Sequence, residues 1–172
     1  LAASDIVFQG PNGPLKTGSE LSYRLRFSED INASTLSTSQ VVNVATSGAA
    51  SLSNISVQEL SPGLVEVRAT ATSTSQSAAI QLGFNTTSAT AIRDIAGNAM
   101  STGQVVDQQT YTVDGQAPTL TGVTQAGTMS GVGSRVEYTL QFSEALDPSS
   151  VTSADFATSQ VAFVEAPQVE GN

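Results

Sequence analysis

The side chains of this sequence that could do chemistry are almost all carboxylates. Fifteen Asp and Glu stand against five Arg and one Lys (Lys16), with no His and no Cys, and the formal net charge is −9. Lack of histidine removes the usual general base, the usual zinc ligand and the Ser-His-Asp triad together. Glycoside hydrolysis needs only two carboxylates, and Glu29-Asp30, or Glu144 with Asp147, could supply them. Those pairs recur at matching places of a repeat, however, and three Tyr, six Phe and no Trp leave little aromatic surface for stacking a sugar. No enzyme is expected. The carboxylates suit a hard cation better, because Ca²⁺ takes about six to eight oxygens from carboxylates, amide and backbone carbonyls and water. The candidate ligands are Glu29, Asp30, Asp94, Asn98, Asp114, Glu144 and Asp147. Asp94, Asn98 and Asp114 would serve equally as plain turn formers, and acidity by itself favours solubility.

The same charge balance sorts partners. Nucleic acid needs a basic face to neutralise phosphates, and none is present. An anionic membrane surface is no better matched, and no apolar window approaches the ~18–20 residues of a membrane-spanning helix. Neither nucleic acid binding nor direct membrane insertion is expected. Charged residues are only 12% of the chain, about half the usual ~25%. Polarity comes instead from 24 Ser and 20 Thr, and Thr is well tolerated on strands.

The elements that must position the carboxylates are strands. Leu21, Tyr23, Leu25 and Phe27 alternate with Glu20, Ser22, Arg24 and Arg26, the period of a half-buried strand. Alternation returns over Leu64–Ala69, and Ile80, Leu82 and Phe84 point one way over Ala79–Phe84. Ile6–Phe8, Val41–Val44, Leu52–Val57 and Val105–Val113 complete about seven strands, the spacing of an all-β sandwich. Ser61-Pro62-Gly63 and Asp94-Ile95-Ala96-Gly97-Asn98 read as turns. One-turn helices fit near Ser34–Ser37 or Ser149–Asp155.

The chain also repeats itself. Gly18–Glu29 lies over Gly133–Glu144 at a constant offset of 115, with seven of twelve positions identical, and Ser34 matches Ser149. The expected organisation is a complete repeat over residues 1–114 and the first half of a second over 115–172. That second copy is incomplete, truncated or split by an insertion. The chain begins at Leu1, and an excerpt from a longer or processed protein is expected. Counting reversals of antiparallel strands puts Glu29, Asp30, Asp94 and Asn98 at one pole of the first copy. Asp114 falls at the opposite pole, where Glu144 and Asp147 of the next copy would face it.

Three motifs carry a family resemblance: Phe27-Ser28-Glu29 after an alternating strand, repeated as Phe142-Ser143-Glu144; Asp94-x-x-Gly97-Asn98; and Val113-Asp114-x-x-Ala117-Pro118. With them the chain resembles the bacterial immunoglobulin-like repeats of large surface adhesins. The resemblance implies tandem immunoglobulin-like β-sandwich repeats, second copy incomplete, in a protein secreted or held on a bacterial cell surface. It also implies an extender role, with Ca²⁺ stiffening the joints between neighbouring repeats and an inserted or adjacent domain holding the ligand. Many such repeats carry Asp-Thr-Thr-Ala-Pro at the joint. Here Asp114-Gly115-Gln116-Ala117-Pro118 replaces it, and Gly115 is expected to loosen the joint. A carbohydrate- or peptide-binding adhesin module, or an accessory β-domain of a secreted enzyme, would fit the same residues.

Overall fold

The computed structural model describes residues 6–10, 13–48, 50–87, 90–100, 103–128, 131, 133–156 and 165–170. The fold is all-β. Among the described residues there is no α-helix, only single 3-10 turns, and no helix is long and apolar enough to cross a membrane. The chain forms two compact units, residues 1–116 and 117–172.

Unit 1 is built around β3 (Glu20–Arg26). Its alternation places Leu21, Tyr23 and Leu25 in the core and Glu20, Arg24 and Arg26 in solvent. β1 (Ile6–Phe8) pairs along one edge of β3 and β6 (Leu64–Thr72) along the other, both antiparallel, and β5 (Ser51–Ser61) closes the sheet in the order β1-β3-β6-β5. β5 is longer than the alternation of Leu52–Val57 predicts. It is bulged between Ser53 and Ser56, where Asn54 takes φ +49°.

The facing strands are β2 (Leu15–Lys16), β4 (Val41–Asn43), β7 (Ala78–Ile80), β8 (Leu82–Thr86), β9 (Gly103–Val106) and β10 (Tyr111–Asp114). They pair as β2-β10-β7 and β4-β8-β9. The strand expected over Ala79–Phe84 is interrupted at Gln81, and that expected over Val105–Val113 at residues 107–110. Two residues, Gln81 and Leu82, lie opposite four, Asp107–Thr110. The insertion is held by the Asp107 amide donating to Leu82 O (2.8 Å), Gln81 Nε2 donating to Asp107 O (2.9 Å), and the Gln109 amide donating to Asp107 Oδ1 (3.1 Å). Asp107 is thereby buried, at 4% exposure.

One continuous core joins both sets of strands and includes Leu21, Tyr23, Leu25, Val65, Val67, Ile80, Leu82, Phe84 and Val113. Two polar side chains pin loops to it. Gln40, fully buried, donates to Thr35 O and Thr90 O and accepts from the Ser37 amide. Asn43 donates to Ala50 O and Ala79 O and accepts from the Ala45 and Gln81 amides. Both donor hydrogens of each amide are bonded and each oxygen accepts, so their burial carries no unsatisfied donor.

Unit 2 contains β11 (Leu120–Ala126) and β12 (Glu137–Phe142), an antiparallel pair. It copies β1 and β3. Ile6 opposes Leu25 and Phe8 opposes Tyr23 in unit 1; Val123 opposes Leu140 and Gln125 opposes Tyr138 in unit 2. The turn that follows is copied as well. Asn32 Oδ1 accepts from the Ser34 amide and hydroxyl at 3.1 and 2.7 Å, and Asp147 Oδ1 accepts from the Ser149 amide and hydroxyl at 2.9 and 2.7 Å. Each caps a 3-10 turn, Ala33–Thr35 and Pro148–Ser150.

A buried tyrosine is expected to have a bonded hydroxyl, but the Tyr23 hydroxyl has no hydrogen-bond partner in the structure. Its ring packs on Phe8 with centroids 5.0 Å apart and on Tyr111 at 6.2 Å. Burial, with the neighbouring Tyr111 and Asp107, pushes its acidity far down, so it stays neutral at any ordinary pH. Tyr23→Phe should therefore melt within about 1 kcal/mol of the parent or above it, because no bond is lost and an unsatisfied hydroxyl is removed. Tyr23→Ala should cost about 3–5 kcal/mol through the cavity it leaves. Chemical denaturation of the three proteins gives both numbers, and a large loss in the phenylalanine variant would show that the hydroxyl is bonded.

Candidate metal centre

The predicted ligands fall into three local structures. Asp94 and Asn98 close a five-residue loop on themselves. Asp94 Oδ1 accepts from the Asn98 amide (2.7 Å) and Oδ2 from Asn98 Nδ2 (2.8 Å). The backbone closes the same ring, Asp94 N to Asn98 O at 3.0 Å and Gly97 N to Asp94 O at 3.1 Å. Gly97 takes φ +92°, a region that glycine enters without a Cβ clash. Arg93 adds a bond from Nη1 to Gly97 O (2.8 Å). The hydrogen bonds from Asn98 hold the Asp94 carboxyl below its usual range, followed by those from neighbouring backbone amides.

This loop is fastened to the segment after β3. Ile31 and Asp94 form an antiparallel bridge, and the Asn32 amide donates to Arg93 O (2.7 Å). Asp30 therefore lies at the same pole as Asp94. Glu29 is there too: Gly63, at φ +69° in the β5–β6 turn, approaches so closely that a Cβ would stand 3.0 Å from Glu29 O. Asp30, Ile31, Glu59, Leu60, Ser61, Pro62 and Ile95 surround a shallow depression of about 300 Å³. Glu59 was missed by sequence reasoning. Its signal was the Ser61-Pro62-Gly63 turn, which returns the chain at this pole and carries any acid just before it to the same rim.

Asp114 sits at the opposite pole of unit 1. It is paired with Lys16 across the parallel β2–β10 ladder, its carbonyl accepts from the Thr17 amide (2.7 Å), and its Oδ1 accepts from the Gln116 amide (2.9 Å). Gly115 does not loosen this end. Its amide donates to Ser75 O (2.9 Å), and a Cβ there would collide with the Ser73 carbonyl. Glycine is required by close backbone approach rather than by freedom of the joint. Glu144 and Asp147 belong to unit 2, at the end of β12. Glu144 is half-buried, and Asp147 is exposed and occupied as the 3-10 cap. The Ser149 hydroxyl and then the Ser149 amide hold the Asp147 carboxyl below its usual range.

Among the described residues no three Asp or Glu side chains lie close enough together to hold a metal ion. A cation at the Asp30–Asp94 pole would draw part of its shell from Asn98, backbone carbonyls such as Glu29 O, and water. The turn-forming bonds and an ion are compatible, since a carboxylate oxygen that accepts one hydrogen bond keeps a second lone pair. The rim carries the carboxylates of Asp30 and Glu59, the Ser61 hydroxyl and the apolar side chains of Ile31, Leu60, Pro62 and Ile95. Comparison with family models, with curated proteins and with solved structures returned no match.

The lowered pKa of Asp94 sets a pH dependence. Its folded pKa lies below the ordinary 3.8, so the loop gains stability above that value and loses it as pH falls through the lowered one. The Asn98 amide resonance should titrate with a midpoint below 3.8 in an NMR series. A midpoint at or above 3.8 would show that the carboxylate is not held by Asn98.

Proposed function

We propose that this chain is a spacer: a segment of tandem immunoglobulin-like units from a bacterial cell-surface adhesin or extracellular fibre, projecting a ligand-binding region carried elsewhere. The observation that supports this reading is duplication in series. β1 begins beside Leu25, at the Asp94 pole, while β10 leaves unit 1 at the pole of Lys16 and Ser73. The chain therefore traverses the unit from end to end, and the strand pairing and cap of the first unit begin again in the second. A shallow depression lined, among the described residues, by no aromatic side chain suits a spacer better than a glycan-binding module.

Calcium is the proposed stiffener. Glu29, Asp30, Asp94 and Asn98 at one pole of unit 1 are proposed as its oxygen donors, and Asp114 of unit 1 and Glu144 and Asp147 of unit 2 as further ones. An ion that binds only the native arrangement adds RT ln(1 + [L]/Kd), about 2.7 kcal/mol at a hundredfold excess over Kd. Small-angle scattering and thermal melting of the whole chain, with Ca²⁺ and with chelator, test this beside Asp114→Ala. Ca²⁺ should raise both the maximum dimension and the melting temperature, and the variant should lose part of the gain. If neither quantity responds to calcium or to the substitution, the ion has no part in the rod.

A further inference from the structure

The two copies differ most where they should match. In unit 1 the apolar face of the β1–β3 pair is closed: Ile6 is 6% exposed and Tyr23 0%. In unit 2 the equivalent Val123 is 55% exposed and Tyr138 53%. Among the described residues β12 pairs with β11 alone, whereas β3 pairs on its other side with β6 over its whole length. The backbone direction is also fixed by the copy. The Phe27 amide donates to Gly63 O and Ser19 O accepts from Ala71, so odd-numbered residues of β3 point their amides and carbonyls toward β6. Their counterparts at the constant offset are Val136, Tyr138, Leu140 and Phe142. The Ser143 amide, at an alternate position, turns the other way to Thr119 O, as this phase requires.

We infer that the outer edge of β12 is a docking site for an antiparallel strand of β6 chemistry: small β-branched or alanine side chains on one face, alternating acid and base on the other. The complete copy supplies the register. Leu25 opposes Val65, Tyr23 opposes Val67 and Leu21 opposes Ala69, so Leu140, Tyr138 and Val136 take those three partners. On the solvent face Glu137 replaces Ser22 and comes opposite Arg68, and Thr139 replaces Arg24 opposite Glu66. Glu137–Arg68 is an opposite-charge cross-strand pair, a favourable arrangement on a sheet. A strand added to an exposed edge draws affinity from main-chain bonds and specificity from alternate side chains. The incoming Val65, Val67 and Ala69 positions flank Leu140, Tyr138 and Val136 on the same face of the sheet, as they flank Leu25, Tyr23 and Leu21 in unit 1.

A synthetic peptide of the Leu64–Thr72 sequence, labelled and titrated with the whole chain, tests the proposal by fluorescence anisotropy. Saturable binding is expected, with new protection of the Tyr138 and Leu140 amides in hydrogen exchange. N-methylation at the peptide positions of Val65 and Val67, whose amides face β12, should weaken binding about tenfold or more. N-methylation at Glu66 and Arg68, whose amides face away, should change it by less than about twofold. Glu137→Lys should weaken binding of the unmodified peptide and be rescued by an Arg68→Glu peptide. Three results would overturn the inference: no saturable binding, equal sensitivity to both methylation patterns, or β12 amides already protected in the free chain because two copies pair along this edge.

Discussion

Pairing of β3 with β6 is the interaction on which the rest of unit 1 depends. A strand carries two hydrogen-bonding edges and at least one apolar face, and a globular unit has to cover them all. β6 covers the second edge of β3 along seven residues, places Val65 and Val67 beside Leu25 and Tyr23, and brings β5 with it. That four-stranded layer is wide enough to receive Ile80, Leu82, Phe84 and Val113 from the facing strands. Unit 2 has the equivalents of β1 and β3 with their register and their following cap, yet Tyr138 and Val123 stand in solvent. Among the described residues unit 2 has counterparts neither of β6 nor of the facing strands: local sequence forms the hairpin, and burial waits on non-local strands.

Much of unit 1 was legible because burial there follows a period of two. Leu21, Tyr23 and Leu25, and Ile80, Leu82 and Phe84, are all fully buried, as their alternation required. The interruptions were not legible. Asp107 lies within a run that reads as continuous strand, and only the two-against-four mismatch of residues 81–82 with 107–110 makes it an interior carboxylate. β2, two residues long, pairs in parallel with a strand about a hundred residues away, and no local pattern announces such a contact. Tyr138 shows the opposite limit. Its sequence environment matches that of Tyr23 closely, and its exposure differs because exposure depends on the non-local strands that cover a residue.

The candidate ligands divide in the same way. Asp94 with Asn98 was readable, since the spacing of an acid, a glycine and an amide fixes a self-closed turn. Poles were readable from strand reversals, and Glu29, Asp30 and Asp94 do gather at one end of unit 1. Glu59 was hidden because the strand before the Pro62 turn runs to Ser61, beyond its apolar alternation. A further stretch of the repeat escaped the fixed offset of 115. Residues 38–41 (T-S-Q-V) recur at 158–161, five residues late. In the first copy Gln40 of this stretch is a core amide with both donor hydrogens bonded, which gives a structural reason for the tetrapeptide; the second occurrence lies outside the described residues.

The parallel ladder of β2 and β10 has a mechanical consequence. Val113 opposes Leu15 and Asp114 opposes Lys16 with both strands running the same way. Tension applied through the two ends of unit 1 would drag β2 toward one pole and β10 toward the other. The bonds between them would then be strained together, as in shear, instead of parting one after another like a zip. Survival under load is governed by the rate of unfolding rather than by equilibrium stability. Gly115, wedged against the Ser73 carbonyl just beyond β10, anchors the strand where a pull from that end would first act. A short, locally unremarkable contact would thus bear on how long the unit lasts under load.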